Sequence, residues 1–167
     1  VSKVFASTLI AILEDRKQLD VTKPIEHYLP ELKGSGWENV PVIDILDMAS
    51  GIDCKEWVDG AFENPATCYY QFEAALGFLK RTEQTAENAF EHIKSLSSAK
   101  TSGKIFEYTS ANTFVLSCLI ERITGFSYAE NIEREIWQKI GAESDAFITQ
   151  TKGISISHAG ISSTLRD

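Results

Sequence analysis

Val1-Ser2-Lys3-Val4-Phe5 opens the segment whose reading decides the fold. From Val4 to Leu13 the pairs Val4-Phe5, Thr8-Leu9 and Ile12-Leu13 recur every fourth residue, which predicts a helix with one broad apolar stripe. A stripe that wide on a first helix implies burial against several partners. Lys3 falls in its first turn. An ammonium group withdrawn from water is costly, whereas a neutral amine is a usable general base. A lysine near a chain start is more often a solvated end, so its meaning depends on the rest of the chain.

The 167 residues are 43% hydrophobic and 24% charged, enough for one domain with a real core. The net charge of −8 argues against nucleic acid or an anionic membrane surface as partner. No apolar run approaches the length that spans a bilayer. His27, His92 and His158 lie far apart without metal-ligand spacing, so no metal and no cofactor are expected. Cys118 lies in an apolar helical run and reads as a small core residue. Cys54 and Cys68 share a loop-rich region, where a bridge would fit but free thiols are the expectation.

Further along, Pro24 opens a short turn of helix to Tyr28, and Val40-Pro41 precedes an apolar helix stopped at Ser50-Gly51. Residues 52–67 form a long loop holding Trp57, Phe62 and Pro65; such loops are either functional or surface excursions pinned by aromatics. Helices are predicted over 69–80 and 85–96, the second with Thr85 as N-cap. Ile105 to Tyr108 reads as extended, and a buried helix starts at Ser110 or Asn112 and ends at Gly125. Ser127-Tyr128-Ala129-Glu130 is a capping box for a helix reaching Ile140. Residues 146–149 and 154–157 are short extended pieces around Lys152-Gly153, and residues 162–167 read as the first turn of another helix. The total is six or seven helices and little strand.

The second informative stretch is Phe106-Glu107-Tyr108-Thr109-Ser110-Ala111-Asn112-Thr113, a tyrosine in a loop just before a buried helix. By burial habits alone Tyr108 would bond its hydroxyl to backbone. Together with Lys3 it has another meaning. Lys3 and Tyr108-Thr109-Ser110 resemble the Ser-x-x-Lys and Tyr-x-Asn/Ser elements of the serine β-lactamase and penicillin-binding protein superfamily. Val1-Ser2 fit the two middle positions of the first motif, so its nucleophilic serine would be the residue before Val1. Ser2 cannot replace it, being about 100° around the helix from Lys3. Val40 to Ile52, Ile136 to Ala146 and Ala159 to Asp167 are similar to the class C β-lactamase-like branch that includes 6-aminohexanoate-dimer hydrolases and carboxylesterases.

The resemblance implies a two-lobe parent, an antiparallel sheet lobe with helices and a helical insertion. The chain then reads as a single partial domain, 1–167, truncated at both ends: nucleophile helix plus helical lobe, mainly α, with the sheet lobe largely missing. It implies a metal-free serine hydrolase of small esters or amides acting through an acyl-serine. Lys3 would activate the serine and Tyr108 would relay the proton to the leaving group. Asn112, Trp57 and Tyr69 would contact substrate, and Ser110 would bond either Lys3 or the substrate. Ser110 in place of asparagine fits the esterase and amidase branch better than a true β-lactamase. His158-Ala159-Gly160 spells the family's late His-x-Gly but follows Tyr108 too soon, so His158 is read as a loop histidine. Without serine the chain itself is expected to be inactive. Loss of the sheet lobe would bare apolar faces on helices 3–13 and 110–123, through which two copies could pair. The rival readings are a catalytically dead binding module of the same fold and a D-alanyl-D-alanine peptidase or β-lactamase. The compartment is not read from this sequence.

Overall fold

The computed structural model describes residues 2–167. Six α-helices carry the described residues: α1 (Lys3–Asp15), α2 (Val42–Leu46), α3 (Cys68–Leu76), α4 (Ala89–Ser95), α5 (Ser110–Thr124) and α6 (Tyr128–Ile132). Short 3-10 turns stand at Ile25–His27 and Pro30–Leu32, and α6 runs on as a π-helix over Glu133–Trp137. Strands are confined to β1 (Phe147–Ile148), β2 (Gln150–Thr151), β3 (Ile154–Ser155) and β4 (Ile161–Ser162). β2 and β3 form a hairpin around Lys152-Gly153, and β1 pairs antiparallel with β4 through Phe147–Ser162 and Ile148–Ile161. The mainly α architecture therefore stands, and no helix among the described residues is long and apolar enough to cross a membrane.

The central element is α5. Residues Ser110 to Ser117, Leu119 and Ile120 are all buried, because α1, α2, α4 and α6 pack around it. The Thr109 side chain caps its start by accepting from the Ala111 N–H, and Gly125 ends it at φ 74°. The expected bare face on α5 is thus covered. On α1 the buried residues are Ala6, Leu9, Ile10 and Leu13, while Val4 is 58% exposed and Thr8 is exposed. The buried stripe is therefore rotated from the one the paired apolar residues suggested. Ala6 and Ile10 complete it, since a small residue lets α1 approach α5 closely.

The helix expected to reach Ile140 stops at Trp137, the end of its π-helical continuation, and three other boundaries differ from the sequence reading for local reasons. α2 ends at Leu46, before Met48 takes a left-handed φ of 55°. α3 stops at Leu76 because Gly77 turns left-handed at φ 98°. α4 starts only after Asn88, whose Oδ1 accepts from the Glu91 N–H at 3.0 Å. Thr85 is engaged elsewhere, donating to Gln71 Oε1 at 2.7 Å and accepting from the Thr82 N–H at 2.8 Å. The capping box at Ser127–Glu130 is present with both of its hydrogen bonds. Residues 162–167 form no helix; Ile161–Ser162 is a strand, and the Ile161 N–H donates to Ser2 Oγ at 3.2 Å. That bond returns the last segment to the start of α1.

Arg16, just past α1, grips Glu135 of the π-helix through Nη1 and Nη2 at 3.0 and 2.7 Å, and Lys139 bonds the same carboxylate at 2.5 Å. Hydrogen bonds from Arg16 first and Lys139 second lower the Glu135 carboxyl from 4.5 to about 2. A depressed carboxylate stabilises the fold above its unfolded value and loses that contribution as pH falls through its folded one. The pair is solvent-screened and its effect is small. Urea unfolding of Arg16→Met should show a lower midpoint than wild type at neutral pH, with the two curves converging near pH 2.

Candidate active site

Lys3 and Tyr108 are brought face to face. α1 presents Lys3 from its first turn, and the loop capped by Thr109 presents Tyr108 at the head of α5. The Lys3 Nζ stands 4.8 Å from the centre of the Tyr108 ring, within cation–π range. The same Nζ donates to the His158 carbonyl at 3.0 Å, a contact between residues 155 apart in sequence. The ammonium or amine of Lys3 is thus held by a backbone acceptor on one side and an aromatic face on the other.

His158 lies in a loop, as the sequence reading has it, but the loop is buried there. His158 is 7% exposed, and its Nε2 meets Glu73 Oε1 at 3.3 Å. Glu73 belongs to α3 and is itself buried, so the ion pair or hydrogen bond seats the loop that carries the His158 carbonyl. Gly160, at φ 79°, lets this loop turn; a Cβ there would run into the Thr149 Oγ1 at 2.6 Å.

Ser110 does not bond Lys3. Its N–H and its Oγ both donate to Glu56 Oε2, at 2.9 and 2.8 Å. A carboxylate accepting at the first residue of α5 is favourable, since the first helical N–H groups have no partner inside the helix. Tyr69, from α3, is 3% exposed. Burial first, then the charge of Glu73, raises its phenol above the ordinary tyrosine range, with Ser110 acting in the opposite sense. Tyr69 therefore stays protonated beside two carboxylates. Trp57 is 80% exposed, with its ring centre 6.4 Å from that of Tyr108. Asn112 is not gathered with these groups: it is fully buried, its Oδ1 accepting from Ser50 Oγ at 2.7 Å and its Nδ2 lying 3.5 Å from Met48 Sδ. It fastens the end of α2 to α5, beneath the site.

Cys54 and Cys68 are joined, with Cα atoms 5.2 Å apart, against the expectation of free thiols. Both ends are positioned by backbone structure. Cys68 is the first residue of α3 behind its Thr67 cap, and Cys54 follows the Ile52–Ser98 bridge. The bridge closes the loop that carries Glu56 and Trp57. Sequence reasoning missed Glu56 and Glu73 altogether; neither stands in a motif, and only the folded loop and α3 bring them to Ser110 and His158.

The profile of the Beta-lactamase family matches residues 1–167. The chain belongs to the Beta-lactamase family. It is 33% identical over 168 aligned residues to the 6-aminohexanoate-dimer hydrolase of Paenarthrobacter ureafaciens, covering 100% of this chain and 42% of that protein. The solved structure of a Bacillus anthracis protein, provisionally named a 6-aminohexanoate-dimer hydrolase, superposes with a TM-score of 0.85 at 27% identity, covering 99% of this chain and 43% of that one. A class C β-lactamase in complex with cefoxitin shares the fold at a TM-score of 0.63 and 21% identity, over 92% of this chain and 38% of that one. The chain thus spans less than half the length of these Beta-lactamase family relatives.

Proposed function

We propose that residues 1–167 are the nucleophile helix and helical lobe of a serine hydrolase that cleaves small esters or amides. In this reading they form one partial domain, and the sheet lobe is built by parts of the protein outside them. The observation that carries the reading is the meeting of Lys3 and Tyr108, 4.8 Å from amine to ring centre, at the head of the buried helix.

The nucleophile is the serine expected immediately before Val1. It lies three positions before Lys3, on the same helix face, within reach of a proton transfer. Its hydroxyl is a weak nucleophile until a base takes the proton. Lys3 takes it as the oxygen attacks the substrate carbonyl, and the lysine is held in place for this by the His158 carbonyl. Tyr108, beside the amine, passes a proton to the leaving alcohol or amine as the tetrahedral intermediate collapses to the acyl-serine. Water then releases the acid by the reverse path. Ser110 serves through Glu56, which fixes the start of α5 and hence Tyr108 two residues earlier. Trp57, exposed beside Tyr108, offers an aromatic wall for the substrate, and buried Tyr69 packs its ring against Phe62, centroids 5.1 Å apart. The 6-aminohexanoate-dimer hydrolase of Paenarthrobacter ureafaciens among the relatives supports a hydrolase reading.

The test is hydrolysis of p-nitrophenyl butyrate by the full-length protein and by the polypeptide 1–167. The full-length protein is expected to turn the ester over, and the polypeptide to do no better than a heat-killed control. Turnover by the polypeptide would overturn the assignment of the nucleophile, and an inert full-length protein would overturn the hydrolase reading.

A further inference from the structure

Away from Lys3 and Tyr108, three potential metal ligands from three separate elements converge. Cys54 comes from the loop, Cys68 from the first turn of α3, and His92 from α4. Their ligand atoms, the two Sγ and a His92 ring nitrogen, all lie within 4.8 Å of one another. His92 Nε2 is 3.5 Å from Cys68 Sγ. In a tetrahedral zinc site, sulfur and imidazole nitrogen sit about 3.5–3.6 Å apart and two sulfurs about 3.8 Å apart. The spacing of His92 to Cys68 already matches; the bonded sulfurs must separate, and Cys54 Sγ starts within 4.8 Å of the imidazole nitrogen. Cys54 and His92 are buried, while Cys68 is half-buried and opens the cluster to solvent.

We propose that Cys54, Cys68 and His92 form a redox-gated site for a thiophilic divalent cation such as Zn²⁺, closed as a disulfide and open to metal as two thiols and an imidazole. Opening needs a dithiol reductant. One of its thiolates attacks Cys68 Sγ, the more accessible sulfur; the Cys54–Cys68 bond breaks, and its electron pair leaves on Cys54 Sγ, which takes a proton. The reductant's second thiolate then attacks the mixed disulfide, closing the reductant's own disulfide and releasing Cys68 Sγ to take a second proton. The protein gains two electrons and two protons, and the dithiol loses the same. Metal binding displaces both thiol protons, leaving a Cys₂His set with a fourth position for water, since zinc ligates thiolate sulfur. In either state the cluster ties the loop bearing Glu56 and Trp57 to α3, so the tether beside Tyr108 survives reduction where zinc is present. The sequence reading found no metal site because the spacing of these ligands fits no local motif; only the fold assembles them.

The experiment is zinc binding to the full-length protein carrying Cys118→Ser, which removes the free thiol of residues 1–167. One sample is reduced with dithiothreitol and desalted anaerobically, and the other is kept oxidised. Native mass spectrometry with zinc alone should show one zinc bound to the reduced protein and none to the oxidised one. His92→Gln, which keeps both thiols, should weaken zinc binding at least about tenfold. Any of three results overturns the proposal: no uptake by the reduced protein, equal uptake by the oxidised protein, or unchanged uptake in both His92→Gln and Cys54→Ser, which would mark an adventitious ion only.

Discussion

Replacing Lys3 by methionine in the full-length protein lowers kcat/KM for p-nitrophenyl butyrate by about 10²–10⁴-fold, the range that a positioned general base contributes. The methionine retains most of the length and an apolar stem but has no amine to accept the serine proton. Tyr108→Phe lowers kcat within the same range and leaves KM nearly unchanged, because the ring beside Lys3 remains and only the hydroxyl is lost. The structural cost of either change is small. Lys3 makes one hydrogen bond, to the His158 carbonyl, and is half-buried. A circular dichroism melt within a few degrees of wild type is therefore expected for both. Loss of activity together with loss of the fold would assign these residues to structure instead of to chemistry.

The largest stability effect is expected at a residue far from this site. Trp37 is fully buried, and its Nε1 donates to the Ile93 carbonyl at 3.0 Å. Beside it, the Gly36 N–H donates to the Leu96 carbonyl at 2.8 Å, so the loop after Leu32 is sewn to the end of α4. Trp37→Ala removes a large apolar side chain and one of the two donors to the Ile93 carbonyl, which keeps the Leu96 N–H. Its cost is about 3–5 kcal/mol, which urea unfolding of the same full-length protein would read as a large fall in midpoint. Trp37→Phe keeps most of the volume and loses the donor, and should fall between the two. A change below about 1 kcal/mol for Trp37→Ala would mean that the packing described for this loop is wrong.

Sequence reading reached the parts of this molecule that local chemistry determines. Ser127 and Glu130 announce their capping box, Gly125 its helix end, and Lys152-Gly153 its hairpin, because each acts on neighbours a few residues away. Lys3 and Tyr108 were legible through motif resemblance, and the fold brings them together. Partnerships made only by folding were not legible. Glu56 meets Ser110 from 54 residues away, and His158 reaches Lys3 across 155. Neither glutamate of the site carries a sequence signal, since an acidic residue in a loop or a helix is ordinarily solvated. The buried face of α1 was misjudged for a related reason. Periodicity counts Val4 and Thr8 as inward by their spacing, whereas close packing against α5 selects small Ala6 and leaves Val4 58% exposed. Thr85 was read as the cap because threonine suits the role; Asn88 takes it instead, and the Thr85 hydroxyl goes to Gln71.

The most direct test of the hydrolase account is covalent labelling of the full-length protein with a fluorophosphonate, followed by peptide mass spectrometry. The account predicts a single adduct on a serine immediately before Val1, formed about 10²-fold or more slowly in Lys3→Met. An adduct on any other serine, or one that forms at the same rate without the lysine, would contradict it.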